Sequence, residues 1–199
     1  MNHFPATNLT AIILAGGQSS RMGRDKALIL LAGVPLLTRI CQTAQGVASQ
    51  VFVISPWRSR YQSIIPQGCI FLEEIHPQKN QSPGPLIGFS QALPQVKTEW
   101  VLLLAQDLPY LTSEILQEWS LNLKSVAPEA IAFLPRSKKG WEPLSGFYRV
   151  DCLPLLNAYI EKGGTSFQGF LNQHLIEELF IGDRTVLFNC NTPEDLQAL

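Results

Sequence analysis

The chain has 199 residues, of which 46% are hydrophobic and 16% charged, and its formal net charge is −1. This balance predicts one globular domain over 1–199 and excludes an intrinsically disordered chain. Nucleic-acid-binding proteins normally carry a basic excess, so the near-neutral charge argues against a nucleic-acid partner. The apolar run at 11–15 is too short for a membrane span or a signal peptide, so we expect a cytoplasmic protein with no membrane partner.

Apolar runs of strand length alternate with helical patterns along the chain. The predicted strands are Leu9–Leu14, Val51–Ile54, Ile70–Leu72, Trp100–Leu104, Ala130–Leu134, Leu144–Arg149 and Val186–Phe188. The predicted helices are Pro35–Ala48, Pro85–Leu93, Thr112–Lys124, Leu153–Lys162 and Ser166–His174, with a last one beginning near Thr192. This alternation predicts an α/β domain with a mostly parallel sheet and helices on both faces. Such sheets bind ligands outside the carboxyl ends of their strands, where we therefore expect the site.

A glycine-rich loop follows the first predicted strand and is the most informative segment. Gly16 and Gly17 have no Cβ, so a ligand can approach the backbone closely and N–H groups can surround a phosphate. Arg21, Arg24 and Lys26 add three cations within the same loop. Arginine can hold phosphate oxygens with two hydrogen bonds and lysine acts as a point charge, so the loop predicts a phosphate site.

Two common phosphate motifs do not fit this loop. The P-loop pattern GxxxxGK[ST] fails because the spacing from Gly17 to Gly23 is one residue too long and Arg24 stands where lysine is required. This argues against a P-loop GTPase. The dinucleotide fingerprint GxGxxG is also absent from the loop, so the sequence predicts another kind of glycine-rich phosphate loop.

The cysteines and histidines indicate no zinc or redox chemistry. Cys41, Cys69, Cys152 and Cys190 are far apart in the sequence and form no CxxC pair, which favours reduced thiols. The three histidines are scattered and match no metal-ligand spacing.

A carboxylate follows the most apolar predicted strand. Asp107 comes shortly after Trp100–Leu104, at the edge where ligands bind. Magnesium in proteins prefers a carboxylate together with phosphate oxygens and water, so Asp107 is the candidate metal ligand. The alternative is that Asp107 only caps a turn.

The string LAGGQSSRMGRDK over 14–26 resembles the signature LAGGxSxRMGxDK of the MobA-like nucleotidyltransferases. Further segments resemble the same superfamily: Asp107 to Pro109 its DxP motif, 82–88 its GPLxG segment, and 189–195 its closing NxNTPED segment. The resemblance runs from about Leu9 to Leu199. It implies a single Rossmann-like three-layer domain of the nucleotide-diphospho-sugar transferase type.

The resemblance also implies roles for individual residues. Leu14, Ala15, Gly16 and Gly17 would hold the nucleotide through the backbone. Lys26 would contact its phosphates, and Arg21 would neutralise charge during transfer. Asp107 would bind Mg²⁺, the cofactor that the resemblance implies, and these roles make Lys26, Arg21 and Asp107 the candidate catalytic residues.

Other segments add candidate contacts. On the nucleotide side these are Ser55, Glu74 and Gly84, where Glu74 stands in the place of an acidic residue that is usually aspartate and Ser55 lies near a common asparagine. On the acceptor side they are Glu142, Pro143, Asn189 and Asn191. Asn191 could equally cap the last helix. Where one branch of the family, the one that acts on molybdenum cofactor, often carries an arginine after Gly163, this chain has 164–168 without one.

The ending and the length resemble the branch that acts on molybdenum cofactor. This implies transfer of GMP from GTP to the terminal phosphate of a molybdopterin-type acceptor, with release of pyrophosphate. Transient contact with molybdenum cofactor insertion or target proteins is compatible with this chemistry. Two alternatives stay open: a cytidylyl- or guanylyltransferase of the same superfamily with another acceptor, and a nucleotide-binding regulatory module without turnover.

Overall fold

One seven-stranded sheet forms the centre of the molecule. A computed structural model describes residues 8–16, 25–75, 84–190 and 195. The strands are β1 Leu9–Leu14, β2 Gln50–Ser55, β3 Cys69–Glu73, β4 Trp100–Ala105, β5 Ala132–Leu134, β6 Ser145–Arg149 and β7 Ile176–Glu178. Their order across the sheet is β7-β5-β6-β4-β1-β2-β3. The two apolar strands β1 and β4 are neighbours near the middle, as expected for strands that are buried on both faces.

The sheet is mostly parallel, as predicted. Strand β1 pairs in parallel with β2 and β4, and β2 pairs in parallel with β3. Strand β6 runs antiparallel to both β4 and β5, and β7 is parallel to β5. Parallel neighbours need crossover connections, and the helices between the strands supply them.

Helices cover both faces of the sheet, which confirms the α/β class. They are α1 Leu36–Gln45, α2 Arg58–Tyr61, α3 Pro85–Ala92, α4 Ser113–Leu121, α5 Leu153–Glu161 and α6 Phe167–Leu171. One apolar core lies under α1 and α4, and a second lies under α3, α5 and α6. No helix in the described part of the chain combines the length and the apolar character that a membrane crossing requires.

Two predictions about the last third of the chain were wrong. Val186–Phe188 is not a strand, because a 3-10 helix spans Arg184–Leu187. Asp183 caps that helix by accepting a hydrogen bond from the Thr185 N–H at 2.9 Å, and this local cap turns the chain. The prediction also missed β7, whose Glu177 and Glu178 give no apolar signal.

Helix bounds differ from the predictions mainly at the C-terminal ends. Pro35–Ala48 shortens to Leu36–Gln45, Ser166–His174 shortens to Phe167–Leu171, and Thr112–Lys124 becomes Ser113–Leu121 followed by a 3-10 turn. Thr112 is the cap of α4, since its hydroxyl accepts from the Ile115 N–H at 3.4 Å. The predicted start of the last helix, Thr192, lies outside the described residues.

Two of the four free thiols interact across the first core. Cys41 on α1 and Cys69 at the start of β3 belong to the same packed region. A hydrogen bond from the Cys41 thiol lowers the pKa of Cys69, whereas this contact and burial raise the pKa of Cys41. Burial likewise raises the pKa of Cys152 to about 12. Cys69 is therefore the thiol with the greatest thiolate character.

We expect iodoacetamide to modify Cys69 before Cys41, Cys152 and Cys190, because the thiolate is the reactive form and Cys69 is only half-buried. Peptide mass spectrometry over a time course at neutral pH measures the order. Cys41→Ala removes the hydrogen bond and should slow the reaction at Cys69 while the other sites stay unchanged. Faster modification of buried Cys152 than of Cys69 would contradict the assignment.

Candidate functional site

The carboxyl ends of four parallel strands meet at one edge of the sheet. Leu14 of β1 is in register with Ile54 of β2 and with Ala105 of β4, and Ser55 is in register with Glu73 of β3. The predicted residues at 14–16, 55, 74 and 107 are the last residues of these strands or lie within two residues of their ends. The structure therefore brings them to one edge, as the sequence predicted.

Strand β2 holds the beginning of the glycine-rich loop. The Ala15 N–H donates to the Ile54 carbonyl at 3.0 Å, and the Ser55 hydroxyl donates to the Ala15 carbonyl at 2.8 Å. The Ser55 hydroxyl also accepts from the Trp57 N–H at 3.2 Å, and the whole side chain is buried. Ser55 thus fixes the backbone of Ala15 at the start of the loop.

The carboxylate of Glu74 lies against two glycines. A Cβ atom on Gly16 would lie 2.8 Å from Glu74 Oε2, and one on Gly88 would lie 3.4 Å from Glu74 Oε1. Glu74 thus reaches from the end of β3 to both the glycine-rich loop and helix α3. Gly84 precedes that helix with φ +84°, a conformation that favours glycine, so the turn into α3 depends on it.

Lys26 and Asp107 form an ion pair although they lie 81 positions apart. Lys26 Nζ is 3.1 Å from Asp107 Oδ2, and the two side chains are 16% and 13% exposed. The Asp107 carbonyl accepts from the Cys190 N–H at 3.1 Å, which attaches the end of the chain to the same edge. A cation and a carboxylate that both reach solvent can exchange partners with an incoming phosphate or metal ion.

Charges surround the thiol of Cys190. Burial raises its pKa, the carboxylates of Asp195 and Asp107 raise it further, and the ammonium group of Lys26 lowers it. Asp195 and the Lys26–Asp107 pair therefore both act on this thiol. Sequence reasoning did not select Asp195, although it belongs to the closing segment that carried the resemblance.

A second carboxylate supports the backbone that carries Lys26. Asp25 Oδ1 accepts from the Ala27 N–H at 3.1 Å and caps the 3-10 helix Lys26–Leu28. The buried hydroxyl of Tyr61 donates to Asp25 Oδ1 and Oδ2 at 2.9 and 2.8 Å. Arg60 Nη1 lies 3.7 Å from Asp25 Oδ2. Sequence reasoning missed Tyr61 and Arg60, since a short helix without a clear period gives no signal.

The predicted acceptor residues Glu142 and Pro143 lie beside the end of β4. The Glu142 N–H donates to the Pro135 carbonyl at 2.9 Å, and the Tyr148 hydroxyl donates to the Pro143 carbonyl at 2.8 Å. The Ala105 N–H donates to the Leu144 carbonyl at 2.8 Å, which attaches this segment to the site edge.

Helix α6 braces the same side. Gln168 bonds both backbone groups of Trp141, accepting from its N–H at 3.2 Å and donating to its carbonyl at 2.6 Å. Gln168 therefore holds the backbone of Trp141. It lies in the stretch 164–168, which has no arginine. The Asn189 amide donates to the Leu187 carbonyl at 3.1 Å, and its neighbour Cys190 bonds Asp107. Three predicted site residues, Gly17, Arg21 and Asn191, lie outside the described residues.

Comparisons with known proteins identify the family of the chain. The family model for the MobA-like NTP transferase domain matches residues 11–178. A protein of Nostoc sp. is 56% identical over 192 residues, covering 96% of this chain and 90% of its own length. A protein of Synechococcus elongatus is 44% identical, with coverage of 96% and 98%. Both carry the name "Probable molybdenum cofactor guanylyltransferase".

A solved structure agrees with the fold. The crystal structure of molybdopterin-guanine dinucleotide biosynthesis protein A from Archaeoglobus fulgidus superposes with a TM-score of 0.76, covering 95% of each chain. Its sequence identity is 20%, so this likeness shows the fold alone, which is the predicted nucleotide-diphospho-sugar transferase type. Because the family model covers most of the chain and the two relatives align along almost all of it, this chain belongs to the MobA-like NTP transferases.

Proposed function

We propose that this chain transfers GMP from GTP to the terminal phosphate of molybdenum cofactor. The products are the guanine dinucleotide of that cofactor and pyrophosphate. The observation that carries the proposal is the Lys26–Asp107 pair, 3.1 Å apart, at the edge where the glycine-rich loop begins. Two relatives that align along almost the whole chain are named for this activity, which favours GTP and this acceptor. The cytoplasm is the compartment that we propose from the sequence.

The transfer itself is an in-line displacement. An oxygen of the acceptor's terminal phosphate attacks the α-phosphorus of GTP and forms the new P–O bond. The bond from the α-phosphorus to the bridging oxygen breaks, and pyrophosphate leaves with the electron pair. The attacking phosphate is already ionised at neutral pH, so the protein need not remove a proton from it. Catalysis then depends on alignment and on neutralising charge.

The chain's own residues supply these two effects. The backbone of Ala15, which Ile54 and Ser55 hold by hydrogen bonds, and of Gly16 after it would face the nucleotide. The ammonium group of Lys26 neutralises phosphate charge, and its half-buried position strengthens that effect relative to water. Arg21 is proposed to act beside it.

The carboxylate of Glu74 is proposed to contact the nucleotide. It lies between the loop at Gly16 and the start of α3 at Gly88, so it can accept hydrogen bonds from a base held at this point. Gly84 would allow the same base or its ribose to approach the backbone before α3. Glu142, Pro143, Asn189 and Asn191 are the proposed acceptor contacts.

The donor set fits Mg²⁺ as the proposed cofactor. Among the described residues no group of three or more His, Cys, Asp or Glu side chains could hold a metal ion. Mg²⁺ needs no such group, since it is commonly bound by one or two carboxylates together with substrate phosphates and water. Asp107, partly exposed at the phosphate edge, would hold it. When bound, Mg²⁺ would supply positive charge to the phosphate oxygens.

Pyrophosphate release tests the proposal. GTP, CTP, ATP and UTP are each incubated with the protein and Mg²⁺, with and without Mo-molybdopterin. We expect release from GTP alone, and only with the acceptor. Asp107→Asn keeps the shape of the side chain and removes its charge. We expect this variant to lose most of the pyrophosphate release from GTP.

The other outcomes of this assay each contradict a different part of the proposal. Release from CTP would overturn the choice of base and leave the reaction class intact. Measurable GTP binding without release from any nucleotide would contradict turnover with this acceptor. A screen of other phosphorylated acceptors then separates another transferase from a regulatory module.

A further inference from the structure

The segment from Ile54 to Tyr61 holds both ends of the glycine-rich loop. At the beginning of the loop, Ala15 is bonded by the Ile54 carbonyl and the Ser55 hydroxyl. At its end, Asp25 is bonded by the Tyr61 hydroxyl. These contacts join β2 and α2 to the two places where the loop meets the described structure. The position of Lys26, directly after Asp25, therefore depends on this segment.

We propose that Tyr61 is a positioning residue for Lys26, acting through the carboxylate of Asp25. The inference rests on the proposed role of Lys26 in binding phosphate charge. Tyr61 itself is buried, and its hydroxyl contacts the carboxylate of Asp25. Its effect is to fix the backbone from which the Lys26 ammonium group extends.

The helix that carries Lys26 is too short to hold itself. It spans Lys26–Leu28, and its backbone bonds are those from the Leu28 N–H to the Asp25 carbonyl and from the Ile29 N–H to the Lys26 carbonyl, each 3.1 Å. The cap bond from the Ala27 N–H to Asp25 Oδ1 adds a third constraint. The orientation of Asp25 thus decides the direction of this turn.

Tyr61 determines that orientation more firmly than Arg60 does. Its hydroxyl lies within 2.9 Å of both carboxylate oxygens, whereas Arg60 stands 3.7 Å away on a side chain that is 56% exposed. Burial, and then the Asp25 carboxylate, raise the pKa of Tyr61, so its hydroxyl stays protonated and remains a donor. A hydrogen bond to a charged acceptor in a buried setting is stronger than a neutral one.

A double-mutant cycle between Tyr61 and Lys26 tests this coupling. Tyr61→Phe removes only the hydroxyl and leaves the buried ring in place. We expect it to lower kcat about tenfold in the otherwise natural protein, the effect of one lost charge-assisted hydrogen bond. In the Lys26→Ala background the same change should lower kcat less than about twofold. Equal losses in both backgrounds would mean a merely structural role and would overturn the inference.

Affinity for inorganic pyrophosphate in the presence of Mg²⁺ gives a second readout that needs no acceptor. We expect Tyr61→Phe to weaken pyrophosphate binding, measured by calorimetry, and to do so only when Lys26 is present. This separates the two ideas: absent turnover contradicts the proposed function, whereas unchanged pyrophosphate affinity in Tyr61→Phe contradicts the positioning role. Unchanged affinity in Lys26→Ala would overturn it as well.

Two further variants keep the test decisive. Tyr159→Phe, on helix α5, removes a hydroxyl from a tyrosine that packs against Phe170 of α6, and it should leave both readouts unchanged. Asp25→Asn retains the oxygen that caps the 3-10 helix but loses the charge. Asp25→Asn should lower kcat and pyrophosphate affinity as much as Tyr61→Phe does. The double variant should lose little more than either single variant. Full activity of Asp25→Asn would contradict the proposal that Tyr61 positions Lys26 through Asp25.

Discussion

Lys26→Ala is expected to lower kcat/KM for nucleotidyl transfer by ~10²–10³, the usual loss when one pre-positioned electrostatic group is removed. Lys26 Nζ lies 3.1 Å from Asp107 Oδ2 and is only 16% exposed, so water replaces its charge poorly. Steady-state pyrophosphate release under the conditions that support wild-type turnover measures the effect. The loss should appear largely in kcat, because charge on the leaving pyrophosphate increases as the bond breaks.

The control for this variant is Lys124→Ala, which removes an exposed lysine from the 3-10 turn after α4. It should leave kcat/KM within about twofold, since an isolated surface charge contributes little. Circular dichroism should show the same thermal transition for both variants to within a few degrees. Full turnover by a correctly folded Lys26→Ala protein would refute the role assigned to Lys26.

Leu103→Ala is expected to reduce the free energy of unfolding by ~2–5 kcal/mol, the range for a large-to-small change in a closed core. Leu103 is fully buried on β4, where it pairs with Ile12 of β1 and Gly146 of β6. Backbone on both sides of β4 is fixed by its ladders, so the cavity cannot close by a local shift. Urea denaturation with linear extrapolation measures the change.

Leu121→Ala is the matched substitution at the surface. Leu121 ends helix α4 and is 69% exposed, so its truncation should change the free energy of unfolding by no more than about 0.5 kcal/mol. A loss of comparable size in the two variants would contradict the placement of Leu103 in the central core.

The central strands and the location of the site could be predicted because their signals are local. The bounds of β1 agree with the prediction, β2 is one residue longer at each end and β4 is one residue longer at its carboxyl end, since continuous apolar runs are typical of buried parallel strands. Glycines and basic residues after β1, and Asp107 after β4, then indicated one ligand-binding edge. The 3.1 Å contact between Lys26 and Asp107 agrees with that expectation.

Elements without a local signal depended on their partners. Strand β7 has three residues and two glutamates, and it is a strand because Ile176 and Glu178 pair with Ala132 and Leu134 of β5. The apolar residues of Val186–Phe188 predicted a strand wrongly, because a side-chain cap from Asp183 outweighs a short hydrophobic run.

The sequence alone was enough to predict the α/β class and to place residues 26 and 107 at the same edge of the sheet, and it also predicts a phosphate site in the first loop. The residues that hold this part of the chain by hydrogen bonds could be found only from the folded structure. Tyr61 bonds Asp25 across 36 positions, and Ser55 bonds Ala15 across 40 positions. Such contacts depend on how β2 packs against Ala15 and α2 against Asp25. Residues that are far apart in the sequence make these contacts, so no local sequence pattern predicts them.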